Sequence, residues 1–201
     1  QRLKKDLIRI EKERNTQSMR RDSEYRVALV GYTNAGKSTL FKTLTGTNVY
    51  IQDQLFATLD TTIRKLSLDS AHTILLSDTV GFIRKLPHNL VASFKSTLKE
   101  VLEADLILMV LDISSSQISE HITTIFDVLK EMSANKIPIV KVLNKVDLIS
   151  NGKLIQKLQQ SFPDSVTISA RNHLRLSDLK QKIITMMESS YETVDLKLTY
   201  N

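Results

Sequence analysis

The chain has 201 residues, 41% of them hydrophobic, which is enough for one ordinary core with appendages and too little for two full domains. Zero cysteines exclude a disulfide framework and thiolate metal sites, and the four histidines, His72, His88, His121 and His173, lack metal-ligand spacing. The net charge of +6 favours a polyanionic partner, while 5% aromatics and no Trp argue against a base-stacking single-strand reader.

No stretch approaches the roughly 18 apolar residues of a membrane span, and the N-terminus does not look like a signal peptide, so a cytoplasmic location is expected. Residues 1–22 carry Leu3, Leu7 and Ile10 at helical spacing among Arg2, Lys4, Lys5, Arg9, Lys12, Arg14, Arg20 and Arg21. This pattern predicts a basic amphipathic helix or linker, and because the chain opens on Gln1 inside it, the sequence reads as a fragment of a longer protein. Residues 23–190 are expected to form one domain, and residues 191–201 the start of a further segment, with a strand over Asp195–Tyr200.

The apolar run Val27-Ala28-Leu29-Val30 reads as a buried strand and leads into Gly31-Tyr32-Thr33-Asn34-Ala35-Gly36-Lys37-Ser38-Thr39, followed by a helix to about Leu44. That arrangement is a phosphate-binding loop. Its backbone N–H groups suit the α- and β-phosphates, Lys37 can reach the β- and γ-phosphates, and the Ser38 hydroxyl is placed to ligate Mg2+. Residues 45–62 are polar and irregular and hold Thr58, Thr61 and Thr62 around Asp60, as a mobile nucleotide switch requires. Thr58 is our choice for the threonine that binds Mg2+ and senses the γ-phosphate, although spacing alone does not separate it from the other two.

Strands are expected over Ile63–Leu68 and Thr73–Ser77, around the turn Asp69-Ser70-Ala71. The second runs into Asp78-Thr79-Val80-Gly81, where Asp78 would hold Mg2+, through water, and the Gly81 N–H would meet the γ-phosphate. Lys37, Thr58 and Gly81 are therefore the residues expected to act on the transferred phosphate. A helix follows over about His88–Leu102, a strand over Leu106–Leu111, a helix over about Ser119–Ser133, and a strand over Ile137–Leu143 with Pro138 near its start. A helix near Lys153–Gln160, a strand over Ser165–Ile168 and a helix near Leu176–Glu188 complete the alternation. Strands alternating with helices indicate an α/β fold, a mostly parallel six-stranded sheet with helices on both faces and ligands at the carboxyl ends of its strands, which the phosphate loop makes a P-loop NTPase and the guanine-reading residues that follow make a G domain.

Asn144-Lys145-Val146-Asp147 decides the nucleotide. A carboxylate at Asp147 accepts from both N1–H and the N2 amine of guanine, groups that adenine does not offer, so GTP is favoured over ATP. Asn144 would brace the phosphate loop, the Lys145 stem would lie over the base, and Ser169-Ala170-Arg171 would give the Ala170 N–H to guanine O6. Phe82 and Ile83 follow Gly81, and neither can orient an attacking water, so hydrolysis uses another group, a bound ion or a partner, or is slow. Asn34 occupies the loop position at which potassium-activated GTPases carry an Asn ligand, which makes K+ a candidate for that charge. Arg64, Lys65, Arg84, Lys85 and His88 flank the expected switches and would present a cationic surface beside the nucleotide.

GYTNAGKSTLF, DQLFATLD, SDTVGFIRKLPHNLV and NKVDL together resemble the HflX family of ribosome-associated GTPases, over nearly the whole chain. The resemblance implies a GTPase that binds the large ribosomal subunit and its RNA, takes part in splitting or rescue of stalled ribosomes under stress, and turns over faster when bound. It matches Thr58 to the family's switch threonine, with Phe56 and Ala57 beside it at the nucleotide, and residues 1–22 to the end of a helical arm. This chain departs from the family at Thr61, where Pro is usual, at Lys42, where Asn is common, and at Lys85, where an acid is common. A monomer is expected. The competing readings are a P-loop phosphotransferase, against which residues 144–147 argue; the G domain of a K+-activated GTPase with another RNA or membrane target; and a GTP-binding scaffold with negligible hydrolysis.

Overall fold

The computed structural model describes residues 24–46, 61–79, 81, 99–150 and 152–191. The two most apolar runs of the sequence form its central strands. β1 (Tyr25–Gly31) and β4 (Leu106–Asp112) lie side by side and parallel, and continuous apolar sequence is what a strand covered on both faces requires. Among the described residues the sheet has six strands in the order β2-β3-β1-β4-β5-β6, with β2 (Thr62–Ser67), β3 (Thr73–Asp78), β5 (Ile139–Asn144) and β6 (Val166–Thr167) completing it. Only the β2–β3 pair is antiparallel, in the register Thr62 to Asp78 and Ser67 to Thr73.

The strands' two-residue period sorts their side chains into two cores. Val27, Leu29, Leu106, Leu108 and Val110 pack with Leu40, Phe41 and Leu44 of α1 (Lys37–Thr45) and with Leu179, Ile183 and Met187 of α4 (Leu176–Ser189). Ala28, Val30, Ile107, Met109 and Leu111 point to the other face, against Ile125 and Leu129 of α2 (Ile118–Glu131) and Val101. Leu158 of α3 (Gly152–Ser161) packs at the margin of that second core.

Element types agree with the sequence reading wherever residues are described, boundaries differ by a residue or two, and three of these shifts have local reasons. β5 starts at Ile139, just past Pro138, which lacks an N–H for the ladder but whose carbonyl accepts from Ile107 N–H at 2.9 Å. α2 stops at Glu131 because Ser133 adopts φ 61°, and Ala134 N–H closes the end on Leu129 O at 2.8 Å. β6 is only two residues long because Ser169 leaves the sheet to form a bridge with Leu174. Of the helix expected over 88–102, residues 99–102 are described and helical. The basic helix over 1–22 and the strand over 195–200 lie outside the described residues.

Candidate nucleotide-binding site

The carboxyl ends of β1, β3, β5 and β6 converge on one edge of the sheet, and every predicted site residue that is described lies there. β1 can run into its loop only because Gly31 lacks a side chain: a Cβ there would sit 2.4 Å from Val110 O on β4. Ala35 N–H then closes a turn on Tyr32 O at 3.2 Å, Asn34 and Gly36 take left-handed φ values of 62° and 93°, and α1 begins at Lys37. Gly36 is required twice over, since a Cβ on it would also meet Asn144 Nδ2 at 2.4 Å. Asn34 is exposed at the loop's tip, and Thr33, Ser38 and Thr39 are half-buried.

Lys37 is folded back into the loop, where its ammonium donates to Tyr32 O at 3.2 Å and the residue is 6% exposed. Burial depresses it to about 8, against the favourable charge of Asp78. Asp78 is itself buried at the end of β3, opposite Leu29 of β1. Thr79 is sealed there by donating its hydroxyl to Leu29 O at 2.6 Å. Gly81 lies directly over the lysine, for a Cβ on it would come within 3.0 Å of Lys37 Nζ and 2.9 Å of Thr33 Cγ2. The loop also carries a side-chain prop that sequence reasoning missed: the Tyr32 ring stacks on His121 of α2 at 4.0 Å and 12°.

At the other end of the site, Asn144 ties three segments together. Its Nδ2 donates to Ala35 O at 2.9 Å and its Oδ1 accepts the Ala170 N–H at 3.0 Å, so it ties the loop after β1 to the turn after β6. The Ala170 N–H, assigned to guanine O6 in the sequence reading, is thus engaged by Asn144. Thr43 Oγ1 donates to Ala170 O at 3.1 Å and Ser169 Oγ accepts from Asn172 N–H at 3.1 Å, which fixes that turn, while Arg171 is exposed. Lys145 adopts φ 66°, and Asp147 follows it, exposed, in the short 3-10 turn Val146–Leu148.

A match to the family described as 50S ribosome-binding GTPase spans residues 26–145, from β1 through the phosphate loop to Lys145. The chain belongs to the 50S ribosome-binding GTPase family. The protein named GTPase HflX from Caldanaerobacter subterraneus subsp. tengcongensis is 44% identical over 200 residues, which cover 98% of this chain and 45% of that protein. GTPase HflX of Escherichia coli strain K12 is 40% identical over 195 residues, covering 96% of this chain and 46% of that protein. The chain therefore spans less than half the length of these relatives. A GTP-binding protein from Sulfolobus solfataricus, solved in complex with GDP, has a similar structure, with TM-score 0.66 and 28% identity over 92% of this chain and 58% of that one.

For a member of this GTPase family, the donor set fits Mg2+: Ser38 and Asp78 offer hard oxygens beside the phosphate loop. Among the described residues no group of three or more His, Cys, Asp or Glu could hold a metal. Phe56, Ala57, Thr58 and Val80 lie outside the described residues. Sequence reasoning also missed Asp112, which ends β4 in register with Asn144 and pairs with Lys145 Nζ at 2.7 Å. Burial acts to raise its carboxyl, but Lys145 and the hydroxyl and N–H of Ser114 outweigh that and hold it below the usual carboxylate range. Nothing in its own spacing marks it, since its partner Lys145 is supplied by the β4–β5 register.

Proposed function

We propose that the chain is the GTP-binding and GTP-hydrolysing switch of a cytoplasmic protein that acts as a monomer on the large ribosomal subunit, in splitting or rescue of stalled ribosomes under stress. The observation that carries the nucleotide part of this reading is the pair of Asn144 hydrogen bonds, which join the loop at Ala35 to the turn at Ala170, and the ribosomal part is supported by the family match. With that tie in place, a nucleotide whose phosphates lie in residues 31–39 has its base beside Asp147, whose carboxylate distinguishes guanine. Guanine O6 lies beside the Ala170-Arg171 turn, whose Ala170 N–H is already held by Asn144 Oδ1.

Lys37 supplies a positive charge that the fold has already dehydrated, and the Gly81 N–H approaches the γ-phosphate from above it. Mg2+ held by Ser38, Thr58 and Asp78 would neutralise charge on the β- and γ-phosphates. Because Phe82 and Ile83 cannot orient water, turnover is slow in the free protein and rises on the ribosome, and K+ held by Asn34 would add charge at the phosphates.

Arg64 and Lys65 are exposed on β2 and would meet ribosomal RNA, and Arg84, Lys85 and His88, which lie outside the described residues, would add to that positive charge. Neutralising several phosphates makes log affinity fall with log salt by about 0.7 to 0.9 per contact. The test is GTP turnover with and without large subunits, in KCl and in NaCl at one ionic strength, together with pelleting at two salt concentrations in GDP and in a non-hydrolysable GTP analogue. Stimulated turnover and tighter binding with the analogue are expected. Binding that ignores the nucleotide would overturn the switch, equal rates in the two salts would overturn the potassium ion, and turnover negligible with subunits would leave a GTP-binding scaffold.

A further inference from the structure

Lys145 carries an ammonium that the phosphates do not claim. It is held at 2.7 Å by Asp112 Oδ2, while Asp112 Oδ1 accepts from the Ser114 N–H at 2.9 Å and the Ser114 hydroxyl at 2.5 Å. Asp112 is therefore fixed from both sides, at the end of the strand next to the one that Lys145 follows. The side chains of Lys145 and Asp112 are 30% and 19% exposed, and an ion pair so close to solvent adds little to stability. What the pair does fix is geometry. With the backbone set at φ 66° and the ammonium tied to β4, the methylene stem of Lys145 crosses from β5 to β4 along the carboxyl edge of the sheet.

We propose that Asp112 is a positioning residue for the guanine nucleotide: it stretches the Lys145 stem into a preset apolar floor for the base whose edge Asp147 reads. The proposal rests on the nucleotide-site reading given above. An untethered lysine would lose its rotamer freedom each time a base settled on it, and Asp112 removes that cost beforehand. Because the ammonium is already neutralised, the gain is the same for GDP and GTP and does not grow in the transition state. Asp112 thus acts on affinity and not on the chemical step.

The test uses the full chain and a fluorescent GDP analogue followed by stopped flow. Asp112→Asn is expected to release the nucleotide about tenfold faster with association little changed, and to raise KM for GTP at unchanged kcat. Asp112→Glu should recover much of the loss. Ser114→Ala, at an exposed position, removes one of the two anchors of the carboxylate and should speed release by about threefold even if the Asp112 variants fold poorly. In the Asp112→Asn, Lys145→Met double variant, the two defects should not multiply, since each breaks the same tether. Unchanged release in both Asp112→Asn and Ser114→Ala, a fall in kcat with KM constant, or multiplying defects would each overturn the proposal. If the unmodified chain binds no guanine nucleotide, it is the site reading that fails, and the two failures are thereby told apart.

Discussion

Asn144 Nδ2 donates to the Ala35 carbonyl at 2.9 Å, so a buried amide at the end of β5 holds the phosphate loop that follows β1, 109 residues earlier in the chain. The same amide accepts the Ala170 N–H through Oδ1. Replacing it with alanine strands one buried carbonyl and one buried N–H, each costing about 1–3 kcal/mol. Asn144→Ala should therefore lose roughly 2–6 kcal/mol in a urea melt. Asn144→Asp should do no better, because it keeps the acceptor for Ala170 but sets a carboxylate oxygen against Ala35 O. A loss below about 1 kcal/mol in the alanine variant would show that the loop does not depend on this tie.

Gly36 and Gly46 separate backbone strain from collision. Both take left-handed φ, 93° and 68°, but a Cβ on Gly46 meets nothing within 4 Å, whereas one on Gly36 meets Asn144 Nδ2 at 2.4 Å. Gly46→Ala should cost only the conformational term, about 1 kcal/mol. Gly36→Ala adds the displacement of Asn144 and should cost at least about 2 kcal/mol more. In the double variant with Asn144→Ala, the cost of Gly36→Ala should shrink towards the Gly46 value. Equal costs for the two glycine variants in the same melt would contradict the geometry.

On the proposed reading, Asp147 carries the choice of base. Asp147→Asn replaces a double acceptor with a group that presents a donor, which suits the carbonyl that xanthine has where guanine has its amine. The variant should lose about 1.5–3 kcal/mol of GTP affinity and bind xanthosine nucleotides better than the native chain does. Competition of both nucleotides against a fluorescent guanine probe measures the two changes together, and unaltered GTP affinity would remove Asp147 from the site.

The strand and helix types were legible because apolar runs and helical periods are local properties: β1 and β4 are read directly from Val27-Ala28-Leu29-Val30 and from residues 106–111. The glycine-bearing turn between β1 and α1 and the place of Asn144 at the end of β5 were legible because both follow from residue type at fixed spacing. Asp112, Thr43 and His121 were not, since each acts through a partner supplied by the sheet register or by a neighbouring helix and has no spacing of its own. The same limit explains Ala170: its place at the end of β6 was readable, but the partner its N–H takes depends on where Asn144 Oδ1 comes to rest. β6 was read too long because its apolar run says nothing about the Ser169–Leu174 bridge that ends it.

Lys37 makes nucleotide binding depend on pH in a stated direction. In the free chain burial lowers it from 10.5 to about 8, with Asp78 opposing. Between those values the folded chain binds fewer protons than the unfolded chain, so stability rises with pH across that window. Below about 8 the full penalty of holding a dehydrated ammonium applies, on the order of 3 kcal/mol. Nucleotide phosphates favour the ammonium and raise its pKa, so binding takes up a proton wherever the free chain holds Lys37 neutral. Calorimetric titration with GDP in buffers of different ionisation enthalpy should therefore show little uptake from this group at pH 7 and uptake approaching about one proton at pH 9. Affinity should fall across the same range. Lys37→Met, which removes the buried charge at similar volume, should leave the nucleotide-free chain at least as stable at pH 7 while losing most of the stabilisation that GDP confers on the native chain. Equal proton uptake at the two pH values, or a methionine variant markedly less stable than the native chain, would show that the ammonium is not strained by its burial.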